Sequence, residues 1–263
     1  MFRADLHCHT TCSDGSCSPE EVVERARQIG LCGLSITDHD TTRAYPRALA
    51  AAKKVNLRLG VGIELSSDYQ GINVHILGYH YDLTSKEMED LCKRHYFRRK
   101  ERNFRILERL EKLNMPIEEE ELLKKGQGKT VGRPHIAQLM VEKGYVPDLR
   151  FAFQNYLGEE KKAYVPGEKI TVEETIATIH AAHGKAFLAH PHLLKKKVSE
   201  ILNLPFDGIE CYYAHLPADK WLKVAEQKKW LISGGSDFHG IFKLDNPLGC
   251  ATVDEKTFNK IFS

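Results

Sequence analysis

The sequence predicts an α/β fold in which a βα-repeating core is interrupted by an all-helical insertion. Short apolar runs alternate with helical stretches in residues 1–82 and again in residues 161–263. Between them, residues 83–160 contain charged amphipathic helices and no convincing strand. Histidines and carboxylates also lie where most of the predicted strands end. Because alternating strands and helices form βα units around a parallel sheet, we expect one core domain made of two segments and a separate helical insertion.

The first βα units have the clearest boundaries. A strand in "FRADLH" precedes Ser18, which has the pattern of a helix N-cap because Pro19 and the capping-box residue Glu21 follow it. That helix ends at Gly30. The second unit is a strand in "GLSITDHD" followed by an alanine-rich helix near Arg47–Lys54.

The rest of the core continues the alternation of strands and helices, with helices predicted at Val172–His183 and Ala218–Lys229. Its strands are predicted, in order, in "LRLGVGIELSS", "INVHILGYH", "KAFLAHP", "GIECYY" and "LISGGSD". In the insertion, a long helix is predicted from apolar residues at helical spacing, namely Phe97, Phe104, Leu107, Leu110 and Leu113. Shorter helices are predicted near Glu118–Lys125, in "GRPHIAQLMVEKG" and in "DLRFAFQNYL".

Composition excludes several classes of protein. The formal net charge of +2 does not indicate a polycation built to bind nucleic acid over its whole surface. Neither a signal peptide nor a membrane span is predicted, since the start is charged and no window approaches 18 uninterrupted apolar residues. The seven cysteines are irregularly spaced, so we expect free thiols in a reducing cytoplasm. No obligate protein partner is evident.

Ligand-type side chains are concentrated at one end of the predicted strands. The nine candidates are His7, His9, Asp14, His39, Glu64, His75, His190, Asp237 and His239. Only His75 is early in its strand. The carboxyl ends of strands in barrels and open α/β sheets form the face where active sites assemble. Residues two apart in an extended segment point to the same side, so His7 and His9 can bind one ion together.

The chemistry of these side chains indicates a metal site. A single buried histidine is more often a hydrogen-bonded core residue than a ligand, so His75 or His190 alone would not indicate one. The H-x-H motif of His7 and His9 and the D-x-H motif of Asp237 and His239, together with "TDHD", are much harder to explain by packing. Imidazoles and carboxylates without an obligatory thiolate suit Mn²⁺, Zn²⁺ or Fe²⁺. Nine groups imply two or three ions, and Glu64 is the best candidate for a bridging ligand.

The motifs resemble those of the PHP (polymerase and histidinol phosphatase) superfamily. The matching stretches are "DLHCHTTCSDG", "ITDHD", "GIE", "VHILGY", "LAHP" and "GSDFH", which follow one another from Asp5 to His239. The resemblance implies a distorted (β/α)₇ barrel with a trinuclear metal centre and phosphoesterase activity. It implies Mn²⁺ as the preferred ion, with Zn²⁺ or Fe²⁺ as alternatives.

The resemblance also implies how the ligands are shared among three ions. The first set is His7, His9, Glu64 and Asp237; the second is Glu64, His75 and His190; the third is Asp14, His39 and His239. Asp14 and His239 are therefore expected to serve catalysis through the third ion. Asp40 is expected to face the substrate, as a general acid or a water-orienting group, or to support the third ion.

The helical insertion resembles the branch that contains 3',5'-nucleoside bisphosphate phosphatases and related enzymes that trim RNA from its 5' end. In that branch the insertion caps the metal face and supplies arginines to the second phosphate. The matching substrate-binding positions are Arg99, Lys100, Glu101, Arg102, Arg133, Pro134 and His135. One departure is visible, because His192 stands where the branch often has arginine.

The basic part of the insertion has two interpretations. Between Lys93 and Arg105, seven lysines and arginines face only one acidic residue, Glu101. Such a run is usually a solvated helix face. Next to a metal site, Arg98, Arg102 and Arg105, which fall on one helical face, could instead bind a phosphate with paired hydrogen bonds.

The sequence therefore predicts a metal-dependent phosphoesterase that removes the 3'-phosphate of nucleoside 3',5'-bisphosphates and also degrades short 5'-phosphorylated RNA from the 5' end. We expect a metal-bridged hydroxide to attack phosphorus in line, because the sequence has no G-x-S-x-G elbow, and its one C-x₅-R spacing, from Cys92 to Arg98, lies in the predicted helical insertion and not in a phosphatase loop. Histidinol-phosphate phosphatase is one alternative, although its cationic substrate suits acidic rather than basic surroundings. A non-catalytic, metal-containing module that binds nucleic acid is the other, and the intact ligand set argues against it.

Overall fold

The computed structural model describes residues 1–126, 131–166 and 170–263. The chain forms two compact units. The first consists of residues 1–92 and 169–263, and the second consists of residues 93–168. In the described parts of the chain, no helix is both long enough and apolar enough to cross a membrane.

The first unit is built on seven strands and the helices that connect them. The strands are β1 (Ala4–Cys8), β2 (Gly33–Ile36), β3 (Arg58–Tyr69), β4 (Ile72–Tyr79), β5 (Lys185–Leu188), β6 (Gly208–Tyr213) and β7 (Leu231–Gly235). The helices of both units are α1 (Pro19–Gln28), α2 (Tyr45–Val55), α3 (Lys86–Lys112), α4 (Glu119–Gly126), α5 (Arg133–Glu142), α6 (Leu149–Ala152), α7 (Val172–Ala181), α8 (Val198–Ile201), α9 (Asp219–Lys228) and α10 (Glu255–Phe262).

Helix α1 begins as the sequence predicts. The Ser18 hydroxyl accepts a hydrogen bond from the Glu21 backbone at 3.2 Å, and the Glu21 carboxylate accepts one from the Ser18 backbone at 2.6 Å. Pro19 occupies the first helical position, where its missing N–H leaves no intrahelical bond unmade.

The strands are arranged in a single sheet in chain order, from β1 to β7. Strands β1 to β3 are parallel, as are β5 to β7, whereas β4 is antiparallel to both of its neighbours. The two-residue turn Gln70–Gly71 between β3 and β4 leaves no room for a helix, and both residues have positive φ as a tight hairpin requires. The predicted α/β barrel is confirmed, with one strand reversed.

The two ends of the sheet meet and nearly close the barrel. The Asp237 backbone N–H donates to the His7 carbonyl at 2.8 Å, and the His9 N–H donates to the Phe238 carbonyl at 2.9 Å. The segment after β7 therefore continues alongside β1. Helix α10 covers the opposite edge, where β2 and β3 begin: a Cβ on Gly33, the first residue of β2, would lie 2.9 Å from the Phe258 ring. This arrangement leaves the carboxyl edge of the barrel for chemistry.

The second unit has an apolar core of its own. Ile106 and Leu110 of α3 pack in one buried cluster with Ile136, Met140 and Leu157. The segment predicted as one helix in "DLRFAFQNYL" is divided into α6 and a π-helical turn at Phe153–Leu157.

Helix α3 differs from a simple amphipathic pattern in its first half. Leu107 and Leu110 are buried, as their spacing indicates, but Phe97 is 67% exposed and Phe104 is 50% exposed. Arg98 and Arg102, which neighbour the two rings in sequence, are partly buried. The periodicity correctly predicted a helix, but tertiary packing rather than hydrophobicity decides which side chains of this half face solvent.

Candidate metal centre

The nine candidate ligands lie at the carboxyl edge of the barrel or in the loops that follow it. His7 lies within β1, and His39 follows β2 and pairs with Glu64 of β3 in a short bridge. The reversal of β4 explains why His75 is early in its strand. In the antiparallel register His75 is opposite Ser66, two residues beyond Glu64, so the start of β4 lies at the same edge as the ends of the parallel strands.

Glu64 is at the centre of the site. Its Oε1 lies 2.8 Å from His75 Nδ1 and 2.8 Å from His190 Nε2. Its Oε2 lies 3.1 Å from His9 Nε2 and 3.2 Å from both His7 Nε2 and His39 Nδ1. This carboxylate is only 1% exposed. One buried carboxylate that contacts five imidazoles has the geometry expected of a bridging ligand.

Asp14 contacts a second group of imidazoles. Its Oδ1 lies 3.6 Å from His9 Nδ1 and 3.5 Å from His239 Nε2, and its Oδ2 lies 3.9 Å from His39 Nε2. The loop that carries Asp14 is fixed by Asp38, whose carboxylate accepts hydrogen bonds from Thr10 and Ser13 at 2.6–2.7 Å. Asp38 therefore shapes the site without contributing a ligand.

The structure brings the predicted ligands into three overlapping groups, each with ligand atoms within 4.8 Å of one another. The groups are His7, His9, Glu64 and Asp237; His9, Asp14, His39 and His239; and His39, Glu64 and His75. His190 joins the third group through its contact with Glu64 Oε1. The family pattern assigns His9 and His39 to one ion each, whereas in this structure each of them belongs to two groups.

Several of these buried atoms lack hydrogen-bond partners. Neither ring nitrogen of His9 has a hydrogen bond among the described residues, and the same holds for Asp14 Oδ1 and His39 Nδ1. An unsatisfied buried polar group typically costs about 1–3 kcal/mol, so a cluster of them needs another partner. Imidazole and carboxylate donors at these separations fit Mn²⁺, Zn²⁺ or Fe²⁺. We therefore conclude that this site can hold metal ions.

Electrostatics within the cluster divide the histidines into two kinds. Burial lowers the pKa of His9, but Asp237 and Glu64 outweigh it and raise that pKa to about 9. For His39, burial dominates and lowers the pKa to about 3 despite Glu64 and Asp14. Burial would raise the pKa of Asp14, yet His39 and His239 hold it well below its usual value. A histidine must be deprotonated to bind a metal ion, so an ion that binds His9 displaces a proton, and metal affinity falls as the pH drops below about 9.

Three residues at this edge have a strained backbone conformation. Asp40, His190 and Asp237 all have positive φ, at 57°, 27° and 54°. Such conformations cost non-glycine residues about 1–3 kcal/mol and are retained mainly at functional sites.

Three further residues support the centre, namely Glu210, Tyr213 and Lys243, and the sequence analysis did not identify them. Glu210 is fully buried in β6, where Oε1 contacts His7 Nδ1 at 2.8 Å and Oε2 accepts a hydrogen bond from the His190 backbone at 2.7 Å. Asp237 directs Oδ1 toward His7, His9 and His239 at 3.3–3.4 Å. Its Oδ2 accepts hydrogen bonds from the Tyr213 hydroxyl at 2.8 Å and from Lys243. For Glu210 the sequence did offer a signal, because this glutamate lies inside the otherwise apolar strand "GIECYY". Buried glutamates are nearly always paired.

Tyr213 and Lys243 together orient the carboxylate of Asp237, so we predict that replacing them weakens metal binding. The Tyr213→Phe variant should bind Mn²⁺ about 10–100-fold more weakly, as is typical when a partner of a metal ligand is lost. Calorimetric titration of the metal-free protein measures this directly. Tyr145→Phe is the matched control, because its hydroxyl bonds to the Pro116 carbonyl in the other unit. Equal affinities in both variants would contradict the assignment.

The structure shows the contacts of Asp40 and His192, for which the sequence left the function open. The Asp40 carboxylate accepts hydrogen bonds from the Ser66 backbone at 2.7 Å and from its hydroxyl at 3.1 Å, and it belongs to none of the three ligand groups. His192 stacks on the Tyr213 ring and contacts Trp221 edge-on. Burial lowers the pKa of His192, so it does not supply the positive charge of the arginine that it replaces.

The substrate-binding residues predicted in the insertion lie in the second unit, whereas Asp40 lies in the first. Arg99, Arg102, Arg133 and Pro134 are partly buried, His135 is buried, and Lys100 and Glu101 are exposed. The Gly132 N–H donates to His135 Nδ1 at 3.2 Å, and the Arg133 guanidinium donates to the Leu157 carbonyl at 3.1 Å. A Cβ on Gly132 would lie 3.7 Å from an Arg99 guanidinium nitrogen. Arg99 therefore lies beside the N-terminus of α5, which begins at Arg133.

Comparison with known proteins identifies the family of this site. The PHP domain model matches residues 5–216, which include the first strand and the ligands through His190. The chain belongs to the PHP domain family. It is 36% identical over 247 residues to the 5'-3' exoribonuclease Rnm of Salmonella typhimurium, with 89% of this chain and 84% of that protein covered.

Two further PHP relatives match over most of their length. A 3',5'-nucleoside bisphosphate phosphatase of Chromobacterium violaceum is 30% identical over 257 residues, which covers 91% of this chain and 88% of that protein. A crystal structure from Bifidobacterium adolescentis, described as a metal-dependent phosphoesterase, superposes with a TM-score of 0.90 at 32% identity and covers 98% of this chain and 94% of that one. This PHP protein is thus similar to metal-dependent phosphoesterases in both sequence and fold.

Proposed function

We propose that this PHP-family phosphoesterase hydrolyses the 3'-phosphate of nucleoside 3',5'-bisphosphates and degrades short 5'-phosphorylated RNA in the 5'-to-3' direction. The observation that carries the proposal is the complete set of nine ligands around Glu64 in a chain whose relatives are named for these two activities. Free cysteines throughout the described chain support a reducing, cytoplasmic location.

The metal centre supplies the chemistry that phosphate ester hydrolysis needs. Two or three Mn²⁺ ions bound here would lower the pKa of water and neutralise phosphoryl charge. Glu64 and Asp14 hold the imidazoles in fixed positions around this charge. Lys243 adds a cation beside Asp237, where a phosphate dianion must approach.

Asp40 is our candidate for the residue that orients the attacking water or protonates the leaving oxygen. Its two hydrogen bonds from Ser66 hold the carboxylate in one orientation, and its backbone N–H donates to the Glu64 carbonyl at 2.9 Å. A general acid or base in this position contributes about 10²–10⁴-fold to the rate.

We assign recognition of the second phosphate to the arginines of the helical unit. Arg99 lies beside the N-terminus of α5, where helix N–H groups and the helix dipole favour an anion. Arg102 is on the same side of α3, because residues three and four apart share a helix face. Arginine binds phosphate through two parallel hydrogen bonds, which gives both charge and orientation.

Replacing Arg102 by alanine should therefore remove the preference for the bisphosphate. We expect kcat/KM for adenosine 3',5'-bisphosphate to fall by about 10–100-fold, as for the loss of a charged hydrogen bond of about 1.5–3 kcal/mol, while adenosine 5'-monophosphate is affected much less. Phosphate release with Mn²⁺ measures both reactions. Arg27→Ala, on the exposed end of α1, is the matched control.

The same assay separates the alternatives. Preferential hydrolysis of histidinol phosphate would indicate a histidinol-phosphate phosphatase, and equal loss on both nucleotides in Arg102→Ala would remove this arginine from substrate selection. A protein that binds Mn²⁺ but hydrolyses none of the three substrates would be a binding module rather than an enzyme.

A further inference from the structure

The exposed face of α3 combines aromatic rings with positive charge. Phe97 is 67% exposed and Phe104 is 50% exposed, and Tyr96 is 39% exposed with its ring 5.6 Å from that of Phe97. Large apolar side chains rarely remain on a helix surface when the same helix has a buried face available to them. In α3 this pattern is reversed: Phe97 and Phe104 are exposed, whereas Arg98 and Arg102 are partly buried.

The two phenylalanines form a row along the helix axis. Seven residues separate them, which is close to two full helical turns, so both rings project from one face about 10 Å apart. Lys100 lies between them on that face, with its side chain 57% exposed and its Nζ 3.8 Å from the exposed Glu119 carboxylate. Lys93 and Arg94 lie one turn before Phe97. The row is therefore bordered by cations at its start and at its centre.

Charge complementarity selects the kind of partner that fits this face. A purely apolar patch would suit another protein surface, whereas rings interleaved with lysine and arginine suit a strand that offers flat bases and negative phosphates. A spacing of about 10 Å corresponds to about three stacked nucleotides at 3.4 Å each. Aromatic rings stack on any base, so this face needs no particular sequence.

We propose that the row Tyr96, Phe97, Lys100 and Phe104 is a stacking surface for single-stranded RNA. It binds the additional nucleotides of an oligonucleotide substrate, which a nucleoside bisphosphate does not have. The inference rests on the proposed function for its biological setting, but the surface is defined by α3 alone. It distinguishes the two proposed substrates, because only an oligonucleotide is long enough to use it.

The test compares an alanine pair with an aromatic-retaining pair. Phe97→Ala/Phe104→Ala should raise the Kd for a 3'-labelled, 5'-phosphorylated ten-nucleotide RNA by at least about tenfold in fluorescence anisotropy without metal, since stacking on an aromatic ring contributes strongly for each base. Phe97→Tyr/Phe104→Tyr should bind like the unmodified protein. Leu123→Ala, another exposed apolar side chain of the helical unit, is the control for a general surface effect.

Activity assays keep this inference separate from the proposed function. With Mn²⁺, the alanine pair should raise KM for the RNA while adenosine 3',5'-bisphosphate serves as the internal reference with an unchanged KM. If the unmodified protein fails to hydrolyse the bisphosphate, the proposed function fails and the anisotropy result still decides the surface. Unchanged RNA affinity in the alanine pair overturns the inference. If the alanine pair also converts a dimer to a monomer in sedimentation, with RNA affinity unchanged, the face is an interface with a second copy.

Discussion

Replacing Glu64 by glutamine is expected to abolish phosphate release, with kcat reduced by at least about a thousandfold. Glu64 contacts five imidazoles through its two oxygens, at 2.8–3.2 Å. The amide keeps the shape of the side chain but loses the negative charge, and its NH₂ group cannot bind an ion. The ions supply several kcal/mol of transition-state stabilisation, and a loss of about 4 kcal/mol corresponds to roughly a thousandfold in rate.

The same substitution has a second, independent readout in metal content. Elemental analysis after dialysis against Mn²⁺ should show that Glu64→Gln retains fewer ions per chain than the unmodified protein, because two of the three ligand groups lose their shared member. Glu226→Gln on the exposed side of α9 makes the same chemical change away from the site and should alter neither quantity. If Glu64→Gln retained full metal content and activity, Glu64 could not be the bridging ligand.

Removing the metal should also destabilise the folded protein substantially. A ligand that binds only the native state stabilises it by about 2.7 kcal/mol at a free concentration of 100 Kd. Two such ions would contribute about 5 kcal/mol, which corresponds to a change in Tm of roughly 10–20 °C for a chain of this size. We therefore expect EDTA to lower the Tm by an amount in this range and to abolish activity, and we expect added Mn²⁺ to restore both.

The experiment is thermal unfolding of the same preparation with EDTA, with Mn²⁺ after EDTA, and with Mg²⁺ after EDTA. Imidazole-rich sites favour Mn²⁺ over Mg²⁺, which prefers oxygen ligands and retains its water. Mg²⁺ should therefore restore less stability than Mn²⁺. A Tm that does not respond to EDTA in a fully active protein would contradict a resident metal centre.

Much of the site could be predicted from sequence because its residues lie in short motifs at strand ends. His7 and His9 are two residues apart in an extended segment, and Asp237 and His239 have the same spacing, so local geometry alone brings each pair to one side. The order of βα units then brings these pairs to one edge of the barrel. Local rules were therefore sufficient to place together the candidate ligands that follow parallel strands.

The remaining features depend on tertiary structure. The reversal of β4 brings His75 to the correct edge. The sequence analysis missed it, although the four residues between the two predicted strands are too few for a parallel crossover. Glu210, Tyr213 and Lys243 acquire their roles only because barrel closure brings β6 and the segment after β7 beside β1. Likewise, the exposure of Phe97 depends on packing within the second unit, since periodicity alone favours burial of this ring.

The closure of the barrel has a consequence for how the protein is made. Asp5 and Ser236 are 231 positions apart, yet the Ser236 backbone N–H donates to the Asp5 carboxylate at 3.0 Å. A chain that is still being synthesised contains His7 and His9 long before it contains Asp237 and His239. The strands between these two pairs are arranged in chain order in the sheet and bring the two ends together, so the long separation adds little further closure entropy. The nascent chain therefore cannot complete the centre until His239 has been synthesised.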